Sequence, residues 1–237
     1  MPDNSIDFYI DIKSPYAYLA LDPAIKMFDQ LGLQWNILPY TLDIADYLGS
    51  ATVNNEGKII SSNRTAHQWR RVKYSYMDCR RMANLQGKTI LGTQKIWDSS
   101  LFSMAHLWVK EKSEKTLLPF LQESFQLFWK RKLDIESEQV ISHLIERFEL
   151  DSADFRSWKS KNQNCVTSLM DTALSIGIFG VPTFVFEEEI FWGHRGVKVP
   201  GEGLNEQTKP KVREDQSKET ERGGIPTKPP AQDSPTI

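Results

Sequence analysis

The sequence predicts an α/β fold in which β-strands near both ends of the folded part flank a long helical block. Segments 6–12 and 33–40 alternate apolar and polar residues like strands, and the residues between them have helical character. A connection of that length between two strands is typical of a parallel, right-handed unit. From His67 to Ile176 the chain is rich in charged residues at helical spacing, and it returns to β-type sequence after Gly177.

The first strand runs into Ser14 and Pro15, and this pair predicts the start of a helix. A serine hydroxyl can cap the free amides of the first turn, and the fixed φ of proline suits that turn. Helical sequence follows over 16–20. Pro23 repeats the proline signal, so we expect a break or kink there and a second helical piece over 24–31.

The helical block carries two apolar stripes, which we interpret as helix faces that pack into the core. The stripes consist of Val140, Ile141, Leu144, Ile145 and Phe148, and of Cys165, Leu169, Ala173 and Ile176. The charged side chains earlier in the block are interpreted as solvated. These are Lys73, Asp78, Arg80 and Arg81.

The last part of the chain divides into a β-rich segment and a polar segment. Two short apolar runs, 183–186 and 190–192, predict a terminal hairpin. Over 197–237 there is no aromatic residue, and prolines and charges are scattered without periodicity. Such a composition cannot bury enough apolar surface to offset the entropy of ordering, so we expect a disordered tail.

Composition and charge exclude several classes of protein. With Lys+Arg 29 against Asp+Glu 31, the net charge is -2, so the positive field that gathers nucleic acid is missing. No stretch approaches the roughly 18 apolar residues of a membrane span, and the acidic amino terminus does not resemble a secretory signal. We therefore expect a cytoplasmic protein without nucleic-acid or membrane partners. The histidines lack metal-ligand spacing, and Cys79 and Cys165 are interpreted as buried apolar residues.

Two segments have residue types that could bind an anion and an extended peptide. Ser14 at a helix start places a hydroxyl and free amides at the positive end of a helix dipole, which stabilises an anion; a simple helix cap is the alternative. In segment 179–183, glycine and proline precede an apolar strand. A cis bond between Val181 and Pro182 would turn the Val181 backbone toward the first strand, where it could hold an extended peptide. An ordinary turn is the alternative here.

The sequence resembles the family of 2-hydroxychromene-2-carboxylate isomerases and kappa-class glutathione transferases. The resemblance rests on SPYAYLA at 14–20, GIFGVPTFVF at 177–186 and EEEIFWGH at 187–194, and it covers residues 5 to about 194. It implies a thioredoxin-like domain that is split by a helical insertion, as in DsbA. The expected divisions are a first thioredoxin-like part, the insertion, a second thioredoxin-like part and the tail, at 1–65, 66–176, 177–196 and 197–237.

The same resemblance implies that glutathione is the cofactor. Ser14 stands where DsbA has its first active-site cysteine, and its hydroxyl would bind the glutathione sulfur as the catalytic residue. Val181 and Pro182 would hold the cysteinyl backbone. The residues expected at the γ-glutamyl end are Trp192, Gly193, His194 and Arg195. The family usually continues with Asp-Arg-Leu and a final helix, which this sequence lacks.

Asn63 and Arg64 resemble a family pair that contacts the organic substrate, and a guanidinium can grip a carboxylate at two points. The resemblance implies an isomerase of aromatic catabolism that acts on an arylidene-pyruvate, which is a small aromatic carboxylate. Two alternatives are a kappa-class-like glutathione transferase or peroxidase, and a thioredoxin-fold binding protein without catalysis. The missing C-x-x-C pair argues against a disulfide oxidoreductase. A homodimer is an assembly that the sequence leaves open.

Overall fold

The structure is a computed structural model that describes residues 5–54, 56 and 58–193. His194, Arg195 and the predicted tail at 197–237 lie outside this range. The strands are β1 (Ser5–Ile10), β2 (Gln34–Pro39), β3 (Ala51–Val53), β4 (Ile59–Ser62), β5 (Thr183–Phe186) and β6 (Glu189–Trp192). The helices are α1 (Pro15–Leu31), α2 (Ile44–Leu48), α3 (Ala66–Leu85), α4 (Ser100–Lys112), α5 (Glu114–Trp129), α6 (Glu138–Glu146), α7 (Ser152–Lys161) and α8 (Cys165–Ser175).

One mixed sheet has the strand order β2-β1-β5-β6, and the six helices α3 to α8 are inserted between its second and third strands along the chain. β1 runs parallel to β2 and antiparallel to β5, so the predicted right-handed α/β opening and the terminal hairpin share this sheet. The α/β fold with a helical insertion is confirmed. The sequence did not predict the separate β3–β4 ribbon, in which every residue of β4 is exposed.

The two opening strands are shorter than the alternation predicted. β1 stops at Ile10 because the chain turns at Asp11, whose carbonyl accepts a hydrogen bond from the Ser14 amide at 2.9 Å. Ile12 is still buried, but it lies in the loop that leads to α1. The alternation of apolar and polar residues therefore predicted correctly that Ile12 is buried, but it overestimated the length of the strands.

Helix α1 is continuous, so the predicted break at Pro23 is wrong. A proline has no amide hydrogen, and inside a helix it leaves the carbonyl of the residue four positions earlier without its usual donor. Here that carbonyl belongs to Leu19, and it accepts a hydrogen bond from Nε2 of Gln86 at 3.1 Å. Lys88 Nζ donates to the carbonyl of the preceding residue, Tyr18, at 3.2 Å. Donors from the end of α3 thus replace the helix's own hydrogen bond, and α1 continues past the proline.

The core contains aromatic residues from both ends of the chain. Phe8 of β1 stacks on Phe184 of β5 with ring centroids 4.5 Å apart, and Phe28 of α1 meets both rings edge-on. The predicted stripe on α6 is confirmed at its centre, where three side chains are buried: Ile141, Leu144 and Ile145. The pairing of Phe8 with Phe184 brings the first and last strands together around the insertion.

The stripe predicted on α8 is largely wrong. Of its members only Ala173 is buried, and Ile176 is 45% exposed. Cys165, expected to be buried, is half-buried. Ala173 packs with Tyr9 in a small cluster of its own, so α8 contacts the body through a narrow strip.

Beside β2 lies the buried His106, whose Nε2 lies 3.2 Å from the carbonyl oxygen of Ile37. A carbonyl only accepts hydrogen bonds, so Nε2 carries the proton of the neutral ring. Lys110 Nζ donates to the same carbonyl at 3.4 Å. Burial, together with the charge of Lys110, lowers the pKa of His106 to about 3.

We expect His106 to make the fold sensitive to acid. Its pKa is lower in the folded than in the unfolded chain, so the unfolded chain gains a proton first and stability falls as the pH drops below about 6.5. At pH 5 the loss is about 2 kcal/mol relative to neutral pH. Urea unfolding at pH 7 and pH 5 measures it, and His106→Gln should remove this part of the slope. His67→Gln, at an exposed histidine, should keep it; an unchanged slope in His106→Gln would contradict the assignment.

Candidate functional site

Ser14 lies at the amino end of α1 and is 4% exposed. Its Oγ accepts a hydrogen bond from the Ala17 amide at 3.2 Å, so the predicted cap is present. The same hydroxyl donates to the carbonyl of Val181 at 3.5 Å, a long distance that indicates a weak bond. One side of the hydroxyl therefore fixes the helix start, while the other is held loosely enough for a ligand to replace its partner.

The peptide bond between Val181 and Pro182 is cis, as expected. Val181 is 7% exposed, and its amide makes no hydrogen bond to any other described residue. A buried amide without a partner is uncommon, because its desolvation is not repaid. Val181 thus presents an unpaired N–H and a weakly bonded carbonyl beside Ser14, which are the donor and acceptor that an extended peptide uses.

Trp192 and Gly193 lie next to this loop. The Gly193 amide donates to the carbonyl of Pro182 at 2.8 Å. The Trp192 ring packs against Phe179 with centroids 5.2 Å apart, and a Cβ on Gly180 would lie 2.9 Å from Trp192 Nε1. Only glycine allows this close approach. Trp192 remains 58% exposed, so the face expected at the γ-glutamyl end is open to solvent.

Sequence reasoning missed the buried ion pair of Asp11 and Lys13, which directly precedes Ser14. Lys13 Nζ lies 3.5 Å from Asp11 Oδ2, and both side chains are almost fully buried. The Asp11 carboxylate also accepts hydrogen bonds from the amide of Lys13 (3.0 Å), the amide of Leu42 (2.8 Å) and the hydroxyl of Ser99 (3.2 Å). Burial raises the pKa of Asp11, and Lys13 and these donors oppose that effect. One carboxylate therefore fastens the Ser14 loop to the end of β2 and to the start of α4.

Asn63 and Arg64 lie on the loop between β4 and α3, and they contact residues of nearby segments. The Asn63 carboxamide oxygen accepts from the amide of Ser50 at 2.6 Å. Arg64 Nε donates to the carbonyl of Gly49 at 3.2 Å, and the guanidinium lies 5.0 Å from the centroid of the Trp69 ring. Burial lowers the pKa of Arg64. Within the described part of the chain, no hydrogen bond joins this pair to Ser14 or Val181, so its substrate role stays a prediction.

Three of the charges expected to be solvated have defined partners, and two of these, Asp78 and Arg81, lie 3.8 Å apart. Asp78 accepts a hydrogen bond from the Tyr16 hydroxyl at 3.1 Å, and Arg80 Nε donates to the carbonyl of Ile90 at 3.1 Å. Cys79 is fully buried, and burial raises the pKa of its thiol to about 12. That thiol is therefore not ionised at neutral pH.

Across residues 5–54, 56 and 58–193, no cluster of three or more histidine, cysteine or acidic side chains is arranged to hold a metal ion. In the same part of the chain no helix is long and apolar enough to cross a membrane.

Comparison with known proteins supports the fold described above. The DSBA-like thioredoxin domain family matches residues 5–199. A 2-hydroxychromene-2-carboxylate isomerase of Pseudomonas putida is 25% identical over 195 residues, which cover 80% of this chain and 88% of the relative.

Solved structures share the fold at lower identity. A structure of 2-hydroxychromene-2-carboxylate isomerase superposes with a TM-score of 0.62 at 21% identity, covering 80% of this chain and 89% of that one. The cytosolic disulfide reductase DsbM of Pseudomonas aeruginosa, solved with GSH, has a TM-score of 0.55 at 14% identity and coverages of 79% and 88%. Both isomerases and reductases therefore use this fold.

We expect Asp11 and Lys13 to be strongly coupled. Lys13→Met leaves a buried carboxylate without its cation, and removing one partner of such a pair costs about 3–5 kcal/mol. Asp11→Asn should also destabilise, and the double variant should lose less than the sum of the two. Urea unfolding of all four proteins measures the coupling. Lys112→Met, which breaks an exposed pair with Asp154, should change stability far less; additive losses at Asp11 and Lys13 would contradict the coupling.

Proposed function

This chain belongs to the family of DSBA-like thioredoxin domains, and from that membership we propose that it is a glutathione-dependent isomerase of the 2-hydroxychromene-2-carboxylate type. The observation that carries the proposal is the contact between the Ser14 hydroxyl and the Val181 carbonyl, beside the unpaired Val181 amide. A hydroxyl at a helix start suits a thiolate, and a free backbone edge suits the peptide that bears it. The relative that is 25% identical over most of the chain is a 2-hydroxychromene-2-carboxylate isomerase.

Glutathione, when bound, supplies a thiolate that adds reversibly to the conjugated double bond of an arylidene-pyruvate and leaves after a bond rotation. Ser14 would turn its donor from the Val181 carbonyl to the sulfur and stabilise the ionised form. Val181 would pair with the cysteinyl residue through its amide and carbonyl. Trp192 and Gly193, together with His194 and Arg195, are proposed to line the γ-glutamyl end.

Ser14 itself is not proposed as the nucleophile. A serine needs a neighbouring base to lose its proton, whereas a thiol ionises far more readily. The two side-chain hydrogen bonds of Ser14 go to the backbone of Ala17 and Val181. The hydroxyl therefore acts as a donor, and the reacting sulfur is brought by the ligand.

The proposed organic substrate is a small aromatic carboxylate whose acidic end is held by Arg64, with Asn63 shaping the loop. Nε of Arg64 is already bonded to Gly49, which fixes the side chain and leaves the two terminal nitrogens for a carboxylate. The reaction needs reduced glutathione, so a cytoplasmic location is part of the proposal. The homologous disulfide reductase is described as cytosolic.

A thiol-peptide binding protein without turnover is the second candidate. It is favoured by the exposure of Trp192, 58%, because an open γ-glutamyl end weakens the hold on glutathione. Calorimetric titration with glutathione, followed by an isomerase assay, separates the candidates. Binding with isomerisation supports the enzyme, binding alone supports the second candidate, and the absence of binding rejects both.

Ser14→Ala should raise the pKa of bound glutathione and reduce turnover, because one hydrogen bond to a charged group, worth about 1.5–3 kcal/mol, is lost. Ultraviolet absorbance of the bound thiolate against pH measures the pKa. The control is Ser137→Ala, which removes the equivalent capping hydroxyl of α6. Both variants should lose about 1 kcal/mol of stability, but only the change at Ser14 should move the thiol titration. Identical thiol titration curves for wild type and Ser14→Ala would mean that Ser14 acts only as a helix cap.

Arg64→Ala should raise KM for the acidic substrate and leave the Kd of glutathione nearly unchanged, because a paired carboxylate is lost from substrate binding only. Steady-state kinetics and a glutathione titration test this. Lys73→Ala removes an exposed cation from the adjoining helix and should leave both constants unchanged. If KM and the glutathione Kd rise together in Arg64→Ala, Arg64 supports the thiol site or the fold instead.

A further inference from the structure

A second candidate site lies in the helical insertion, where the loop 90–97 faces the turn that follows α5. We propose that the cavity between them binds a small aromatic carboxylate. The cavity has a volume of about 300 Å³, at the lower end of small-molecule pockets, which span about 300–1,000 Å³. Its apolar wall consists of Leu91, Trp97, Phe128, Leu133 and Val140.

Arg131 lines this cavity together with Lys132 and Asp134, and a second guanidinium, that of Arg80, approaches Arg131 beside Gly92. The position that a Cβ would occupy on Gly92 lies 3.6 Å from Nη2 of Arg80 and 3.9 Å from Nη2 of Arg131. Both cations therefore face the same small volume above Gly92. Among the described residues, neither guanidinium forms an ion pair, although two like charges this close repel each other. An anion placed between them would remove the repulsion and gain charge-assisted hydrogen bonds.

The arginines are held in place before any ligand arrives. Arg80 Nε donates to the Ile90 carbonyl at 3.1 Å, and Arg131 Nε donates to the Gly92 carbonyl at 2.7 Å. Thr93 Oγ1 lies 3.2 Å from the Tyr76 hydroxyl, which pins the next residue of the loop. A loop without regular secondary structure is thus fixed along its length. Such preorganisation reduces the entropy that binding would cost.

Arg131 also has a backbone conformation that glycine adopts more readily than arginine. Its φ is 58°, in the left-handed region, at the position after α5 where glycine is usual. An arginine there is unfavourable for the backbone, so its side chain must contribute something that glycine cannot. We identify that contribution with the guanidinium at the cavity edge.

The ligand class follows from the wall and the cations together. Trp97 and Phe128 meet edge to face with centroids 6.0 Å apart and offer aromatic surface to a flat ring. The paired arginines suit a planar carboxylate, which accepts bidentate hydrogen bonds. The inference goes beyond the proposed function and does not depend on it, because none of these residues belongs to the Ser14 site.

The test is calorimetric titration of the full chain with 2-naphthoate, without glutathione. Wild type and Ser14→Ala should bind equally, and neutral 2-naphthalenemethanol and acetate should each bind at least tenfold more weakly. Arg80→Gln and Arg131→Gln should each weaken 2-naphthoate about tenfold or more. Arg70→Gln, at an exposed arginine of α3, should not.

Arg131→Gly separates binding from structure. Glycine suits a φ of 58°, which offsets the loss of the Arg131 hydrogen bond to the Gly92 carbonyl, so the melting temperature should change little, yet the variant should lose affinity like Arg131→Gln. Three results would overturn the proposal: no binding by wild type, equal binding of acetate, or loss of binding in Arg64→Gln with retention in Arg131→Gln. The last result would assign the carboxylate to the Ser14 site.

Discussion

The buried Asp11 carboxylate joins three segments of the chain that are distant in sequence. It accepts hydrogen bonds from three parts of the chain, the loop before Ser14, Leu42 after β2 and Ser99 before α4, and Lys13 balances its charge. A buried ion pair contributes little net stability compared with apolar packing, but it tolerates few alternative arrangements. Its effect is therefore geometric: the amino end of α1, with its serine hydroxyl, has a fixed position relative to both the sheet and the insertion.

A second set of hydrogen bonds connects the insertion to the same helix. Pro23 removes one backbone donor from α1, and Gln86 supplies the replacement to the Leu19 carbonyl, while Lys88 binds the neighbouring carbonyl. A residue that would ordinarily weaken a helix thus creates an acceptor that only the end of α3 satisfies. The hydrogen bonds of Asp11 and those donated by Gln86 and Lys88 hold α1 at two places along its length. They therefore limit how far the insertion can move relative to Ser14.

Features that short motifs encode could be predicted from the sequence. Features that depend on contacts between distant residues mostly could not. Ser14 as a cap followed from a short motif, the cis bond before Pro182 followed from the family resemblance, and both are confirmed. Asp11 was missed because a single acid in an alternating strand looks solvent-facing, and its partners Leu42 and Ser99 lie 31 and 88 residues away. Periodicity also misjudged α8, since an amphipathic pattern shows which face is apolar but not how much of it another element covers.

Serine at position 14 keeps the electrostatic part of a thiol site and removes the redox part. A hydroxyl cannot exchange with a disulfide, and Cys79 is buried with a raised pKa, so the chain lacks a thiolate at the end of β1. What remains is a capped helix start, a weakly bonded hydroxyl and the free amide of Val181. In the proposed function, these groups would hold a thiolate that a small molecule brings, and they could not accept its electrons. The same fold that supports disulfide exchange in a reductase would therefore, without a C-x-x-C pair, suit chemistry in which the sulfur adds and leaves unchanged.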